Sequence, residues 1–462
     1  MCQESQLAKL GLFDAKMPRY TSYPSVQHFG PQIGATDFQS WIGQIRPGSQ
    51  VSLYLHVPFC RQLCWFCMCR TQGTRSDAPI SAYITALKQE IARLTLHLPP
   101  GVTLGRMHWG GGTPTILSPA MIRELSAALA AALPLSRDAE FSVEIDPNEF
   151  DKARCTALIE AGMTRASIGV QGFDDMTQQA IGRQLDFDRV AQVVAMLRAG
   201  GVQQLSTDLL FGLPHQSLDQ IRQSCRQLLS LTPDRLALYG YKHLPAQIRR
   251  QAMIPSETLA KPEERLQLFK AASALCLDAG YQAVGIGNFA RPGDALVHAR
   301  DTQSLKRGFQ GYSDDPAEVL IGVGASAISR FPQGYVQNAP STARYMASLA
   351  QGEFGSARGH ALTAEDRLRA DIIESLLTGF AIPSAQILSQ VPDMQVPLRS
   401  LIDEACAKFP DLLLPTPQGA RVADHARLLT RVIARHFDAY DTAPPQALAP
   451  AARHIANSPS TA

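Results

Sequence analysis

From residue 51 onward the chain alternates short apolar runs with longer amphipathic stretches, and this alternation constrains the fold more than any other feature. A parallel strand is buried on both faces and needs a crossover helix to reach its neighbour, so the pattern reads as successive β/α units. The candidate strands are Val51–Phe59, Arg106–Trp109, Phe141–Ile145, Ala166–Val170, Leu205–Leu210 and Leu236–Tyr239. Between them, apolar residues recur at three- and four-residue spacing over Ile80–His97, Pro119–Leu133, Lys152–Ala161, Asp188–Ala199 and Asp219–Leu231, which predicts helices. Ala161-Gly162 and Ala199-Gly200 fit glycine helix caps. These units predict an α/β fold, an incomplete parallel (β/α)6 barrel. Closing eight strands would need two more, and only Ala283–Ile286 offers one.

The pattern changes near residue 360. Glycines thin out and helical spacing covers Ala364–Phe380, Leu398–Lys408 and Asp424–Tyr440, with Thr363 and Asp366 placed as a capping box. The expected organisation is an N-terminal segment over 1–45, a catalytic barrel with its extension over 46–360, a helical C-terminal domain over 361–441, and a disordered tail over 442–462 rich in Ala, Pro and Ser.

Hydrophobic residues make up 45% and charged residues 18%, and no run approaches the roughly 18 apolar residues of a membrane span. A net charge of +2 gives no basis for nucleic-acid binding. Met1–Leu12 lacks the basic and apolar regions of a secretory signal, so a cytoplasmic protein is expected. In that reducing compartment, four of nine cysteines within ten residues point to metal rather than disulfides.

Those four, Cys60, Cys64, Cys67 and Cys69, directly follow the first candidate strand, the catalytic end of a parallel barrel. Three thiolates spaced C-x3-C-x2-C can hold three corners of a 4Fe-4S cubane and leave the fourth iron open. The amine and carboxylate of S-adenosylmethionine (SAM) would complete that iron, and Trp65 and Phe66 would shield the radical produced. The bland reading is a four-cysteine structural zinc site. Such sites usually pair two C-x2-C knuckles across a longer loop, whereas here all four cysteines share one loop. Glycines at 110, 111 and 112 would let backbone approach a ligand or simply form a tight turn. Glu144, Gln171 and Asp208 sit at or near the ends of three strands, where ribose hydroxyls could meet their acceptors.

The cysteine motif resembles that of the radical SAM superfamily, and the fourth cysteine two residues on resembles the oxygen-independent coproporphyrinogen III oxidase family. Pro18-Arg-Tyr-Thr-Ser-Tyr-Pro24, His108-Trp-Gly-Gly-Gly-Thr-Pro-Thr115, Glu144-Ile-Asp-Pro147, Gly169-Val-Gln171, Asp208-Leu-Leu-Phe-Gly-Leu-Pro214 and Phe309-Gln-Gly-Tyr312 are similar to that family's other motifs. The resemblance covers about residues 18 to 440. It implies oxidative decarboxylation of two propionates of coproporphyrinogen III, with a 4Fe-4S cluster on Cys60, Cys64 and Cys67 and two SAM molecules. It further implies that Tyr54, Gly111, Gly112, Thr113, Glu144, Gln171, Arg183 and Asp208 meet the first SAM, and that Phe66, Lys242, Gln310 and Ile328 lie near the second. Tyr54, Cys69 and Arg19 would serve catalysis, Arg19 by covering the mouth or meeting a substrate carboxylate. The implied partners are the porphyrinogen and a reduced donor such as flavodoxin or ferredoxin, for a monomeric enzyme.

Two positions depart from the family pattern: Lys242 stands where Tyr-Ala-His is usual, and Gly287-Asn288 where an Asp-His pair precedes Phe289-Ala-Arg-Pro292. Both fall near the expected substrate or second-SAM region. They keep open a radical methyltransferase or ring-opening enzyme acting on heme. A heme-binding chaperone is the other alternative, which Cys69 and the Pro18–Pro24 segment disfavour.

Overall fold

The computed structural model describes residues 11–14 and 16–441. The expected disordered tail at 442–462 lies outside the described residues, as do residues 1–10 of the expected N-terminal segment. The chain separates into two compact units. The larger comprises Phe29–Leu259 and Asp315–Ala361, and the smaller comprises residues up to His28, Ala260–Asp314 and residues from Leu362 onward.

Ten strands of the larger unit, numbered here in chain order, lie side by side: β1 (Gln50–Val57), β2 (Thr103–Gly111), β3 (Leu135–Ile145), β4 (Arg165–Gln171), β5 (Gln204–Phe211), β6 (Arg235–Gly240), β7 (Leu320–Val323), β8 (Ile328–Phe331), β9 (Gly334–Asn338) and β10 (Ser356–Ala361). Their spatial order is β10-β9-β8-β7-β1-β2-β3-β4-β5-β6. The six predicted strands are present and pair in sequence order, all parallel. β7 adds a parallel strand beyond β1, and β8 to β10 continue as an antiparallel meander that the sequence reading did not resolve.

β1 shows why these segments are strands. Val51, Leu53, Leu55 and Val57 are buried together with Ser52 and His56, so both faces are covered, as a central parallel strand requires. The crossover helix Ala78–His97 turns Ile80, Tyr83, Ile84, Leu87, Ile91 and Leu94 inward at helical spacing. Fully burying one such Leu or Ile contributes about 1.5–3 kcal/mol. The same helix buries a carboxylate. Glu90 accepts hydrogen bonds from the Gly324 backbone N–H (2.8 Å), Asn338 Nδ2 (2.8 Å) and Tyr345 Oη (2.6 Å). Tyr83 donates to the His56 carbonyl at 2.9 Å and accepts from the Ala325 N–H at 2.7 Å, so the turn after β7 is tied to the core of β1.

Gly162 takes the expected left-handed cap, with φ 92°, but after Phe187–Ala199 the left-handed residue is Gly201, φ 88°, one beyond Gly200.

The smaller unit contains helices Pro262–Asp278, Ala364–Gly379, Ser384–Gln390 and Gln395–Lys408. The Thr363 box forms as expected: its hydroxyl accepts from the Asp366 N–H at 3.0 Å, while the Asp366 carboxylate accepts from the Thr363 N–H at 3.0 Å. The predicted helix over Asp424–Tyr440 is instead a 3-10 turn, Asp424–Leu429, followed by a short helix, Thr430–Arg435. A three-stranded antiparallel sheet of Ala381–Pro383, Gly419–Val422 and Leu413–Thr416 joins these helices, with Ile382, Leu413, Ala420 and Val422 in the same core as Leu376 and Ile402. The candidate strand at 283–286 is Gln282–Val284. It pairs antiparallel with Asn288–Ala290 and so forms a hairpin, because Gly285 at φ 61° and Gly287 at φ 75° reverse the chain between them.

Candidate active site

The cysteine loop leaves β1 at its C-terminal end. Phe59–Cys60 pairs with Gln72–Gly73, and the Thr74 N–H donates to the Cys60 carbonyl at 3.0 Å, so the ends of the loop are closed together. Gly112 has no freedom to be larger: a Cβ there would lie 2.6 Å from the Phe59 carbonyl oxygen and 3.0 Å from Cys60 Sγ. Each of the three predicted ligand sulfurs faces a donor. Thr113 Oγ1 donates to Cys60 Sγ at 3.5 Å, Arg183 Nη1 to Cys64 Sγ at 3.6 Å, and the Cys69 backbone N–H to Cys67 Sγ at 3.4 Å.

Burial pushes the Cys60 thiol up to about 11. Burial also raises Cys64, against the opposing pull of Arg183. Cys67 is lowered to about 6, chiefly because Cys69 hydrogen bonds to it. Cys69 is driven well upward by the same bond, so of this adjacent pair Cys67 is the thiolate and Cys69 the thiol donor.

The donor set fits a polynuclear cluster. Three cysteine sulfurs come from one loop, each with a hydrogen-bond donor of the kind that tunes iron-sulfur potentials. Among the described residues no group of three or more His, Cys, Asp or Glu side chains is placed to hold a single metal ion.

Beside the loop, the strand ends present a row of polar groups. Tyr54 on β1 stacks on His108 of β2, with ring centroids 5.8 Å apart, and its hydroxyl meets His56 Nδ1 at 3.1 Å. Glu144 ends β3, accepts the Gly111 N–H at 3.0 Å and meets His108 Nε2 at 3.3 Å. A Cβ at Gly110 would lie 2.8 Å from Glu144 Oε1 and 3.0 Å from the Tyr54 ring, so only glycine lets the two side chains meet there. Asp208 of β5 faces the same space. Burial first and the Glu144 charge second raise it to about 7. Gln171 ends β4 at φ 73°, a left-handed conformation that costs a side-chain-bearing residue energy and is concentrated at functional sites. Arg183 is fixed by the Gly169 carbonyl at 2.8 Å and by Asp146 at 3.5 Å. Cys69 is exposed, and the charges of Glu144 and Cys60 act on its thiol.

The larger unit thus brings together the three cysteines, Cys69, Tyr54, Gly111, Gly112, Thr113, Glu144, Gln171, Arg183 and Asp208. Trp65 and Phe66 are half-buried against Ile181, Leu210, Leu213, Tyr241 and Ile254. Ile328 opens β8, crossing Gly322, the β7 residue in register with Tyr54. Lys242 follows β6, its carbonyl held by Gln251 Nε2 at 3.0 Å. Arg19 and Gln310 belong to the smaller unit, where the Arg19 carbonyl accepts from Arg307 Nε at 3.4 Å and Gln310 sits in the hairpin between Lys306–Gly308 and Gly311–Ser313. Sequence reasoning missed His108, Asp146, Arg250 and Gln251. His108 and Asp146 carried a usable signal, since one precedes the glycine triplet on a strand and the other lies within Glu144-Ile-Asp-Pro147, whereas Arg250 and Gln251 belong to no motif.

The family model of the Radical SAM superfamily matches residues 54–228. The chain is 53% identical over 441 residues to the oxygen-independent coproporphyrinogen III oxidase of Cereibacter sphaeroides, covering 96% of this chain and 98% of that one. It is 52% identical to that of Paracoccus denitrificans, with the same coverage. The chain belongs to the oxygen-independent coproporphyrinogen III oxidase family. A solved structure of coproporphyrinogen III oxidase from Escherichia coli, described as a radical SAM enzyme, superposes with a TM-score of 0.87 at 33% identity, covering 91% of this chain and 97% of that one. Cys60 through Asp208 fall inside the superfamily's matched span, whereas Lys242 and Ile328 fall beyond it. The superfamily's machinery is a 4Fe-4S cluster with SAM.

Proposed function

We propose that this chain converts coproporphyrinogen III to protoporphyrinogen IX without oxygen, by oxidative decarboxylation of two propionate side chains. The observation that carries the reading is the coincidence of two things: near-complete coverage of oxidases at 53% identity, and three donor-paired cysteines at the C-terminal ends of parallel strands.

When bound, the cluster and SAM supply a 5'-deoxyadenosyl radical that takes a β-hydrogen from a propionate. That propionate then loses carbon dioxide and passes one electron to an external one-electron acceptor, leaving a vinyl group, so two propionates consume two SAM. Cys60, Cys64 and Cys67 hold the cluster, and their three donors offset its thiolate charge. Gly112 and Thr113, packed against Cys60, border the open iron and receive the methionyl end of SAM. Tyr54, Gly111, Glu144, Gln171 and Asp208 face its adenosyl part, where the carboxylates accept ribose hydroxyls. Arg183 balances charge beside Cys64. Phe66 and Ile328 of the larger unit border a second SAM.

Arg19 binds a propionate, for which a planar guanidinium is suited. Lys242 binds another as a point charge, keeping the oxidase chemistry despite the departure at that position. Cys69 donates at the mouth and does not ligate iron. The electron donor is a reduced flavodoxin or ferredoxin, and the enzyme works as a cytoplasmic monomer. Among the described residues no helix is long and apolar enough to cross a membrane.

The test is anaerobic incubation with coproporphyrinogen III, SAM and a reductant, followed by chromatography of the oxidised porphyrins. The reading expects protoporphyrin with two carbon dioxide released per product. Unchanged coproporphyrin, or a methylated or ring-opened tetrapyrrole, would overturn it.

A further inference from the structure

We propose that Gln251, assisted by Arg250, is a positioning residue that fixes the half of the cysteine loop around Cys67. The inference rests on reading Cys60, Cys64 and Cys67 as the cluster ligands.

No residue from Arg61 to Thr71 is fully buried, and the packing of half-buried Trp65 and Phe66 leaves the backbone of this stretch to be held by hydrogen bonds. Hydrogen bonds from outside the loop do so on two sides, in addition to the His56 ring at the Arg70 carbonyl (3.2 Å). On one side, the Trp65 N–H donates to the Ile181 carbonyl and Gln62 Nε2 to the Gly182 carbonyl, both at 2.9 Å. On the other side stands the short turn Arg249–Met253. Gln251 is fully buried there, and its whole amide is used. Nε2 donates to the carbonyls of Phe66 at 3.1 Å and Lys242 at 3.0 Å, and Oε1 accepts the Leu244 N–H at 2.5 Å. Its own backbone is pinned to Ile248 at 2.9 Å and Ile254 at 3.0 Å. One amide therefore joins the residue before Cys67 to the chain leaving β6.

Arg250 extends the clamp past the cysteine. Its guanidinium donates to Thr71 Oγ1 at 3.1 Å and to the carbonyls of Thr71 at 3.4 Å and Cys69 at 3.5 Å. An amide with two donors and one acceptor is the side chain this geometry requires, since a carboxylate would oppose two carbonyls and an aliphatic group would leave all three backbone groups unpaired. Neither residue touches a predicted ligand sulfur, so both act through the loop that carries it.

The experiment compares wild type, Gln251→Leu and Arg250→Ala, each reconstituted with iron and sulfide without oxygen. Iron release to a chelator, hydrogen exchange across the chain and melting temperature are measured on each. With all three cysteines intact, the variants should load the same iron. Gln251→Leu should then release it about ten-fold faster, the change expected from losing a buried hydrogen bond, with Arg250→Ala several-fold faster. Exchange should rise over residues 61–71 and not in β1–β5. Wild-type release rates in both variants, with the cluster present, would overturn the positioning role alone. Exchange raised evenly across the larger unit would reduce it to a structural one and overturn it as well. Should Gln251→Leu fail to fold, Arg250→Ala decides by the same readouts. A wild-type protein that takes up no cluster would overturn the ligand reading beneath the proposal.

Discussion

Asp208 is the carboxylate whose environment makes the sharpest quantitative prediction. Burial and the facing Glu144 raise it from 3.8 to about 7, so the folded protein keeps a proton that the unfolded chain gives up near 3.8. The native state therefore binds more protons over that window, and stability falls as pH rises through it. Three pH units correspond to a ceiling of about 4 kcal/mol. Asp208 is only partly buried and the Glu144 side chain is 44% exposed, so solvent screening reduces this to about 2 kcal/mol. Asp208→Asn, which carries no charge at any pH, should therefore differ least from wild type below about pH 4 and be the more stable protein at pH 8. Calorimetric melting of the cluster-free protein across that range measures the difference. Glu144→Gln should shrink it, because one of the two causes is removed. The function runs the opposite way: ionised Asp208 is the better acceptor for a ribose hydroxyl, so SAM affinity should strengthen as pH passes about 7 in wild type and stay flat in Asp208→Asn. An Asp208→Asn stability difference that is the same below pH 4 and at pH 8 would refute the reasoning.

Cys60→Ser, Cys64→Ser and Cys67→Ser should each abolish SAM cleavage, whereas Cys69→Ser should keep its iron and lose turnover; iron and sulfide analysis beside deoxyadenosine yield separates the two classes. Glu90→Leu strands the Gly324 N–H, Asn338 and Tyr345 groups and should cost about 3 kcal/mol or more in denaturant unfolding, with Tyr345→Phe costing about 1 kcal/mol. Lys242→Ala should weaken coproporphyrinogen binding several-fold, by about 1 kcal/mol, with the loss shrinking as salt is added and SAM affinity retained. A rise in bound SAM from one to two per chain in that variant would instead mark Lys242 as a block on the second SAM.

The six parallel strands were legible because central parallel strands are apolar on both faces, and Leu53, Phe141 and Ile168 announce them without context. β7 to β10 were not. They are four to six residues long, interrupted by Gly322, Gly324 and Gly334, and defined by partners distant in sequence. The sheet of Ala381–Pro383, Leu413–Thr416 and Gly419–Val422 escaped for the same reason, its three- and four-residue strands lying between longer helical patterns. Asp424–Tyr440 kept helical spacing yet folded as a 3-10 turn and a short helix, where the buried Thr430 bonds back to the Arg427 carbonyl at 2.7 Å. In the site, the cysteine spacing and the strand-end acceptors could be read directly, since chemistry fixes their residue types. Gln251 and Arg250 could not, because a residue that holds backbone carbonyls 179 to 185 positions away leaves no local pattern.

The most direct test of the radical decarboxylation is a single anaerobic turnover with coproporphyrinogen III deuterated at the propionate β-carbons. The account predicts one deuterium in each 5'-deoxyadenosine, formed in step with each vinyl group. Vinyl formation with unlabelled 5'-deoxyadenosine, or labelled 5'-deoxyadenosine with no vinyl product, would contradict it.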